Sequence, residues 1–166
     1  MNEDIRKTID TIRNLNAANE SKADFFTWKR KNVTLRGIKE IGKHNEVYGS
    51  FGKGLYTVPL GNKAMARQYG ELYFVVNAIP QKPKVVDSLN GAELWRQKLV
   101  NDFCRKHDEP YSVQYFEANT TIENEMLQMG YDGLIIKGRE MVNYSPQDIR
   151  YFKTEAELLS YYQTLN

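Results

Sequence analysis

The chain has a single cysteine, Cys104, among 166 residues. That excludes an internal disulfide and any thiolate metal cluster. Its neighbours Phe103 and Arg105 give no reason to read the thiol as a nucleophile rather than as a packed helix residue. Long apolar runs are missing too: no stretch approaches the roughly 20 residues that a membrane-spanning helix needs. The first residues, Met1-Asn2-Glu3-Asp4, place an acidic pair where a secretory leader would carry positive charge, so a cytoplasmic location is expected. An excess of either charge is also lacking. A formal net charge of +2 is too small to identify a nucleic-acid binder, although it does not exclude one. The densest basic cluster, Lys29-Arg30-Lys31 beside Trp28, reads as a phosphate contact or, more plainly, as a solvated turn before a strand.

What is present suits one soluble globular domain spanning residues 1–166. The chain is long enough to bury a core, with 41% hydrophobic residues. Ile5, Ile9, Ile12 and Leu15 recur at helical spacing and predict an N-terminal helix within residues 1–31, packed on the rest. Val33-Thr34-Leu35-Arg36 predicts a short strand closed by Gly37. Ala64 to Tyr69 predicts a short helix stopped by Gly70, and Leu72 to Val76 a buried strand. Pro80 and Pro83 before Val85-Val86 predict a kinked passage or an edge strand. Leu94, Trp95, Leu99, Val100 and Phe103 mark a core-facing helix. Thr121 to Met129 predicts a helix ending at Gly130, followed by strands at Leu134–Ile136, Glu140–Tyr144 and Asp148–Phe152 and a C-terminal helix at Glu155–Tyr162. Strands interleaved irregularly with helices predict an α+β fold.

The segment Tyr48-Gly49-Ser50-Phe51-Gly52-Lys53-Gly54-Leu55-Tyr56-Thr57 is the most telling one. Gly49, Gly52 and Gly54 would let a backbone pass close to a ligand, while the spacing fits neither the dinucleotide fingerprint nor the P-loop. The expectation is a strand opening at Tyr56 and a helix ending at Tyr69, whose two rings could flank a flat heteroaromatic group. The plainer alternative is that both tyrosines pack, as most of the 11 in the chain must. Glu140 beside Arg139 reads, by itself, as a surface ion pair of little energetic consequence.

Phe51-Gly52-Lys53-Gly54-Leu55-Tyr56 with Ala66 to Tyr69 resembles the nicotinamide-pocket segment of the ADP-ribosyltransferase superfamily, in its poly(ADP-ribose) polymerase and diphtheria-toxin-like branch. Glu140-Met141-Val142-Asn143-Tyr144 through Arg150 resembles the strand of those enzymes that opens with the catalytic glutamate. Gly130-Tyr131-Asp132-Gly133-Leu134-Ile135-Ile136 resembles the strand before it, especially in phage and mobile-element domains. The resemblance covers about Val33 to Phe152. It implies a split β-sandwich core with flanking helices, NAD+ as co-substrate and no metal. Tyr56 and Tyr69 would sandwich nicotinamide, and the backbone of Gly37 would bind its carboxamide. Gly52 and Gly54 would line the pocket. Glu140 would accept from the ribose 2′-hydroxyl and stabilise an oxocarbenium-like transition state.

Where that branch carries a histidine before the glycine of the first strand, this chain has Arg36. Arginine there resembles the cholera-toxin-like branch and would suit the pyrophosphate of NAD+. Neither His44 nor His107 takes the missing position. The triad is thus a hybrid of Arg36, Tyr56 and Glu140. Gly138 stands where arginine-modifying members place a second acid, which disfavours arginine as the acceptor. The resemblance implies a mono-ADP-ribosyltransferase acting on a macromolecule, protein or nucleic acid, similar to phage effectors and toxin modules. An NAD+ glycohydrolase and a non-catalytic NAD- or ADP-ribose-binding module are the alternatives.

Overall fold

A computed structural model describes residues 32–38 and 47–164. The expected N-terminal helix, the basic cluster at Lys29–Lys31 and His44 lie outside the described residues. The described chain is mixed α and β, with eight strands in two sheets and five helices.

The smaller sheet has the order β1-β4-β8 and is antiparallel throughout. It comprises β1 (Val33–Ile38), β4 (Glu71–Val76) and β8 (Arg150–Phe152). The larger sheet has the order β2-β3-β7-β6-β5, from β2 (Val47–Gly49), β3 (Gly52–Thr57), β5 (Pro83–Val86), β6 (Gly133–Ile136) and β7 (Glu140–Asn143). Only β5 and β6 run parallel. Parallel neighbours need a long crossover, and three helices supply it: α2 (Leu89–Lys106), α3 (Val113–Asn119) and α4 (Ile122–Gln128). The remaining helices are α1 (Lys63–Arg67), between β3 and β4, and the C-terminal α5 (Glu155–Thr164).

Strand alternation sorts the core. Leu134, Ile136 and Val142 project from one face of the larger sheet against Ala92 and Leu99 of α2 and Met126 of α4. Ile135, Met141 and Leu55 project from its other face, toward Ile79, Val75 and Ala78. β6 is therefore apolar at every position after its glycine, because both of its faces are covered. Beyond the smaller sheet, Leu35, Phe74 and Val76 pack with Ala66 of α1 and Leu158 of α5. Each such large side chain, fully buried, contributes about 1.5–3 kcal/mol. The sheets are stitched together where the chain leaves β3: Leu35 and Val58 exchange two backbone hydrogen bonds of 2.9 Å each.

Helix ends follow their local chemistry. Ser88 caps α2 by accepting from the Gly91 N–H at 3.0 Å, and Ser112 caps α3 through the Tyr115 N–H at 3.1 Å. Gly130, at φ +88, ends α4 in the left-handed region that favours glycine.

Three expectations need correction. The glycine-rich segment does not precede a strand opening at Tyr56; it is itself the hairpin of β2 and β3. β1 continues through Gly37 to Ile38. Leu94 lies 58% exposed, because Leu99 and Val100 already place the inward face of α2 elsewhere. The sequence also left α3 (Val113–Asn119) without a periodic signal, because it is short. The proline-bounded passage at Val85-Val86 is an edge strand, as expected. Among the described residues no helix is long and apolar enough to cross a membrane.

Candidate functional site

β3 and β7 are antiparallel neighbours, with Tyr56 opposite Val142 and Thr57 opposite Met141. Residues two apart on a strand share a face, so Glu140 projects on the same side as Val142 and lies diagonal to Tyr56, within reach of long side chains. A shallow depression forms there, lined by Phe51, Tyr56, Leu134, Ile136, Glu140 and Val142 among others. Its floor is apolar and its two polar groups are a phenol and a carboxylate.

The Tyr56 hydroxyl is fixed at both ends. It donates to the Gly52 carbonyl at 2.6 Å and accepts from the Phe51 N–H at 3.2 Å. Burial pushes the phenol well above the ordinary tyrosine range. The Phe51 N–H opposes that shift, the charges of Glu140 and Glu123 add to it, and Arg96 opposes it weakly. Tyr56 is therefore neutral and aromatic, a wall rather than a base. Glu140 keeps only 16% of its side chain exposed, with Arg139 Nε 3.6 Å away. Burial raises its carboxyl above the usual glutamate range, and the Arg139 guanidinium, by charge and hydrogen bond, pulls it back. A carboxylate held partly dry beside an aromatic wall is a common signature of reactive sites.

The hairpin turn is tied down by further side chains. The buried Tyr144 donates to the Phe51 carbonyl at 2.7 Å, and Glu123 at the start of α4 accepts from the Lys53 N–H at 3.1 Å. The glycines serve this packing. A Cβ at Gly49 would strike the Tyr56 ring, one at Gly54 would come within 2.6 Å of the Asn143 carbonyl oxygen, and one at Gly52, at φ +101, would meet the Glu123 carboxylate at 2.7 Å. Their space is filled by the protein's own atoms.

The other expected residues lie apart from the depression. Arg36, on β1, donates from Nη1 to the Tyr151 hydroxyl at 3.0 Å. Tyr151 is pushed up by burial and held back by that arginine. Gly37 sits beneath the backbone of α1, where a Cβ would fall on the Ala66 carbonyl oxygen. Tyr69 follows α1 at 59% exposure and is not part of the depression's lining. Tyr56 and Glu140 are thus brought together, Arg36 and Gly37 belong to the smaller sheet, and Tyr69 is a surface ring.

Sequence reasoning passed over Glu123 and Tyr144. Glu123 carried only the ordinary signal of an acid in a helix's first turn, whereas Tyr144 stood inside the segment around Glu140 and was open to notice. Among the described residues no group of three or more His, Cys, Asp or Glu side chains is gathered to hold a metal ion. No protein-family model matches the chain, and no curated protein and no solved structure matches it.

Proposed function

We propose that this chain is a mono-ADP-ribosyltransferase that cleaves NAD+ at the nicotinamide–ribose bond and transfers ADP-ribose to a protein or nucleic acid. One observation carries the reading: Tyr56 and the half-buried Glu140, far apart in sequence, share one face of adjacent strands and line one depression. The pairing of two packed sheets with flanking helices is compatible with the split β-sandwich that the sequence resemblance implies.

The residues fit the substrate in part. Tyr56 offers a partly exposed aromatic ring, backed by the buried Phe51, and Glu140 offers an acceptor to a sugar hydroxyl. Arg36 with Tyr151 supplies a cation and a phenol suited to phosphate oxygens on the smaller sheet. The carboxamide contact assigned to Gly37 draws no support from its side-chain face, which α1 covers. Tyr69, exposed, would have to swing to stack.

In this reading Glu140 accepts from the ribose 2′-hydroxyl and its fixed charge faces the cation that grows at the anomeric carbon. The glycosidic electron pair leaves with nicotinamide, which departs neutral. The acceptor nucleophile then bonds to the anomeric carbon and gives up its proton. Glu140 must be ionised to do this, so the rate falls as pH drops through its raised range.

The test is incubation of the protein in a bacterial lysate with NAD+ labelled on its adenylate, beside Glu140→Gln. Label entering macromolecules with the parent alone supports transfer, and protease or nuclease digestion then identifies the acceptor class. Free ADP-ribose without labelled macromolecule would make the protein a glycohydrolase. NAD+ bound without release of nicotinamide would make it a binding module.

A further inference from the structure

Asn62 stands at the N-cap of α1, a position where asparagine normally accepts a hydrogen bond from the helix's first turn. Here it makes no such bond: its backbone is at φ −105, ψ 52, and its side chain caps nothing in its own helix. The side-chain amide instead reaches across to the turn between β6 and β7. Asn62 Nδ2 donates to the Arg139 carbonyl at 2.9 Å, with a weaker contact to Met65 Sδ at 3.6 Å. That carbonyl belongs to the peptide that joins Arg139 to Glu140.

The second observation concerns the other side of that turn. The Arg139 N–H, in the preceding peptide, donates to the Ile136 carbonyl at 3.1 Å, so Arg139 is held by β6 through its N–H and by Asn62 through its carbonyl. Glu140 opens β7 opposite Ile136. The first residue of a strand has only half of its ladder to hold it, and Asn62 supplies the missing constraint from a different element. Its own backbone is anchored by donation to the Pro59 carbonyl at 2.9 Å, so the reach comes from a fixed base.

We propose that Asn62 is a positioning residue for the Glu140 carboxylate, holding the Arg139–Glu140 peptide through its side-chain amide and coupling α1 to the depression. This rests on the transferase reading for its consequence in catalysis, but not for its geometry. Asn62 touches no reacting atom; it acts through the backbone of Glu140. A group that sets the aim of a preorganised carboxylate acts on the transition state more than on substrate binding.

Asn62→Ser tests the positioning role. Serine caps a helix as well as asparagine does, but its hydroxyl is too short to reach the Arg139 carbonyl. The expected result is an unchanged melting temperature, a kcat about tenfold lower and a KM for NAD+ within about twofold of the parent. The carbonyl carbon resonance of Arg139 should shift with the loss of its donor. Asn62→Asp, which keeps the shape and ionises to an acceptor, should do the same or more. An Arg139 carbonyl resonance unmoved in both variants would overturn the inference, as would a kcat equal to the parent's in a protein that does turn over NAD+. Should the parent release no nicotinamide at all, the transferase reading fails, and the resonance alone decides whether Asn62 positions Glu140.

Discussion

The larger sheet keeps its candidate carboxylate uneasy, whereas the smaller sheet keeps its candidate cation satisfied. Glu140 lies over an apolar floor with a single, partly exposed guanidinium 3.6 Å away, and burial outweighs that partner. Arg36 donates to the phenol of Tyr151 on β8, across the intervening β4 of its own sheet, at 3.0 Å. The first arrangement would suit a group that meets a developing positive charge, because Arg139 offsets its burial only in part. The second suits a binding contact, ready to exchange a phenol for a phosphate oxygen. The two sheets would thus divide the labour between chemistry and grip.

The sharpest way to break this contrast is Glu140→Gln. NAD+ turnover should fall by about 100-fold or more, on the order of 2.7 kcal/mol, with NAD+ affinity nearly intact. Turnover assayed by nicotinamide release checks it, and a rate equal to the parent's would remove Glu140 from the chemistry. Next come matched glycines, one in each sheet. Gly37→Ala forces a methyl onto the Ala66 carbonyl and Gly54→Ala places one within 2.6 Å of the Asn143 carbonyl. Each should cost about 1–3 kcal/mol in urea unfolding, with Gly37 the more severe. Equal stability to the parent at Gly37 would mean that α1 lies farther from β1 than described.

Arg36→Ala tests the binding half. NAD+ affinity should weaken about tenfold, or 1.4 kcal/mol, with kcat little changed, and calorimetric titration against the Glu140→Gln background reads it without turnover. The smallest effect is on stability. The carboxyl of Glu140 is raised in the folded chain, so its contribution favours the fold at low pH and is lost as pH rises through that raised range. Glu140→Gln should therefore melt above the parent at neutral pH. The gap should close below about pH 4, where both side chains are neutral. A variant that melts below the parent at pH 7 would show that Arg139 outweighs burial.

Local structure was legible where consecutive residues carry the signal. Gly130 marked the end of α4, Pro83 the edge strand, and the Leu99-Val100-Phe103 spacing the buried side of α2. The glycine-rich segment was legible as a place of close backbone approach, but the neighbours that approach it were not. Its glycines make room for a tyrosine ring, a neighbouring strand and a carboxylate, and none of those neighbours is adjacent in sequence. Asn62 was invisible for the same reason, since a cap residue that declines its own helix looks like any other asparagine before one.

The sequence by itself determined the α+β alternation, the exclusion of a disulfide within these 166 residues and the residue types available for a site. Those properties reside in composition and in spacings of two to four residues. Only the tertiary structure decided that Tyr56 and Glu140 share a face while Arg36 and Gly37 go to the other sheet. Strand register decides faces: a slip of one residue between β3 and β7 would send Glu140 to the opposite side. That register is set by the summed packing of Leu55, Met141 and Ile135 on one face and Leu134, Ile136 and Val142 on the other, a sum over residues that no local pattern in the chain contains.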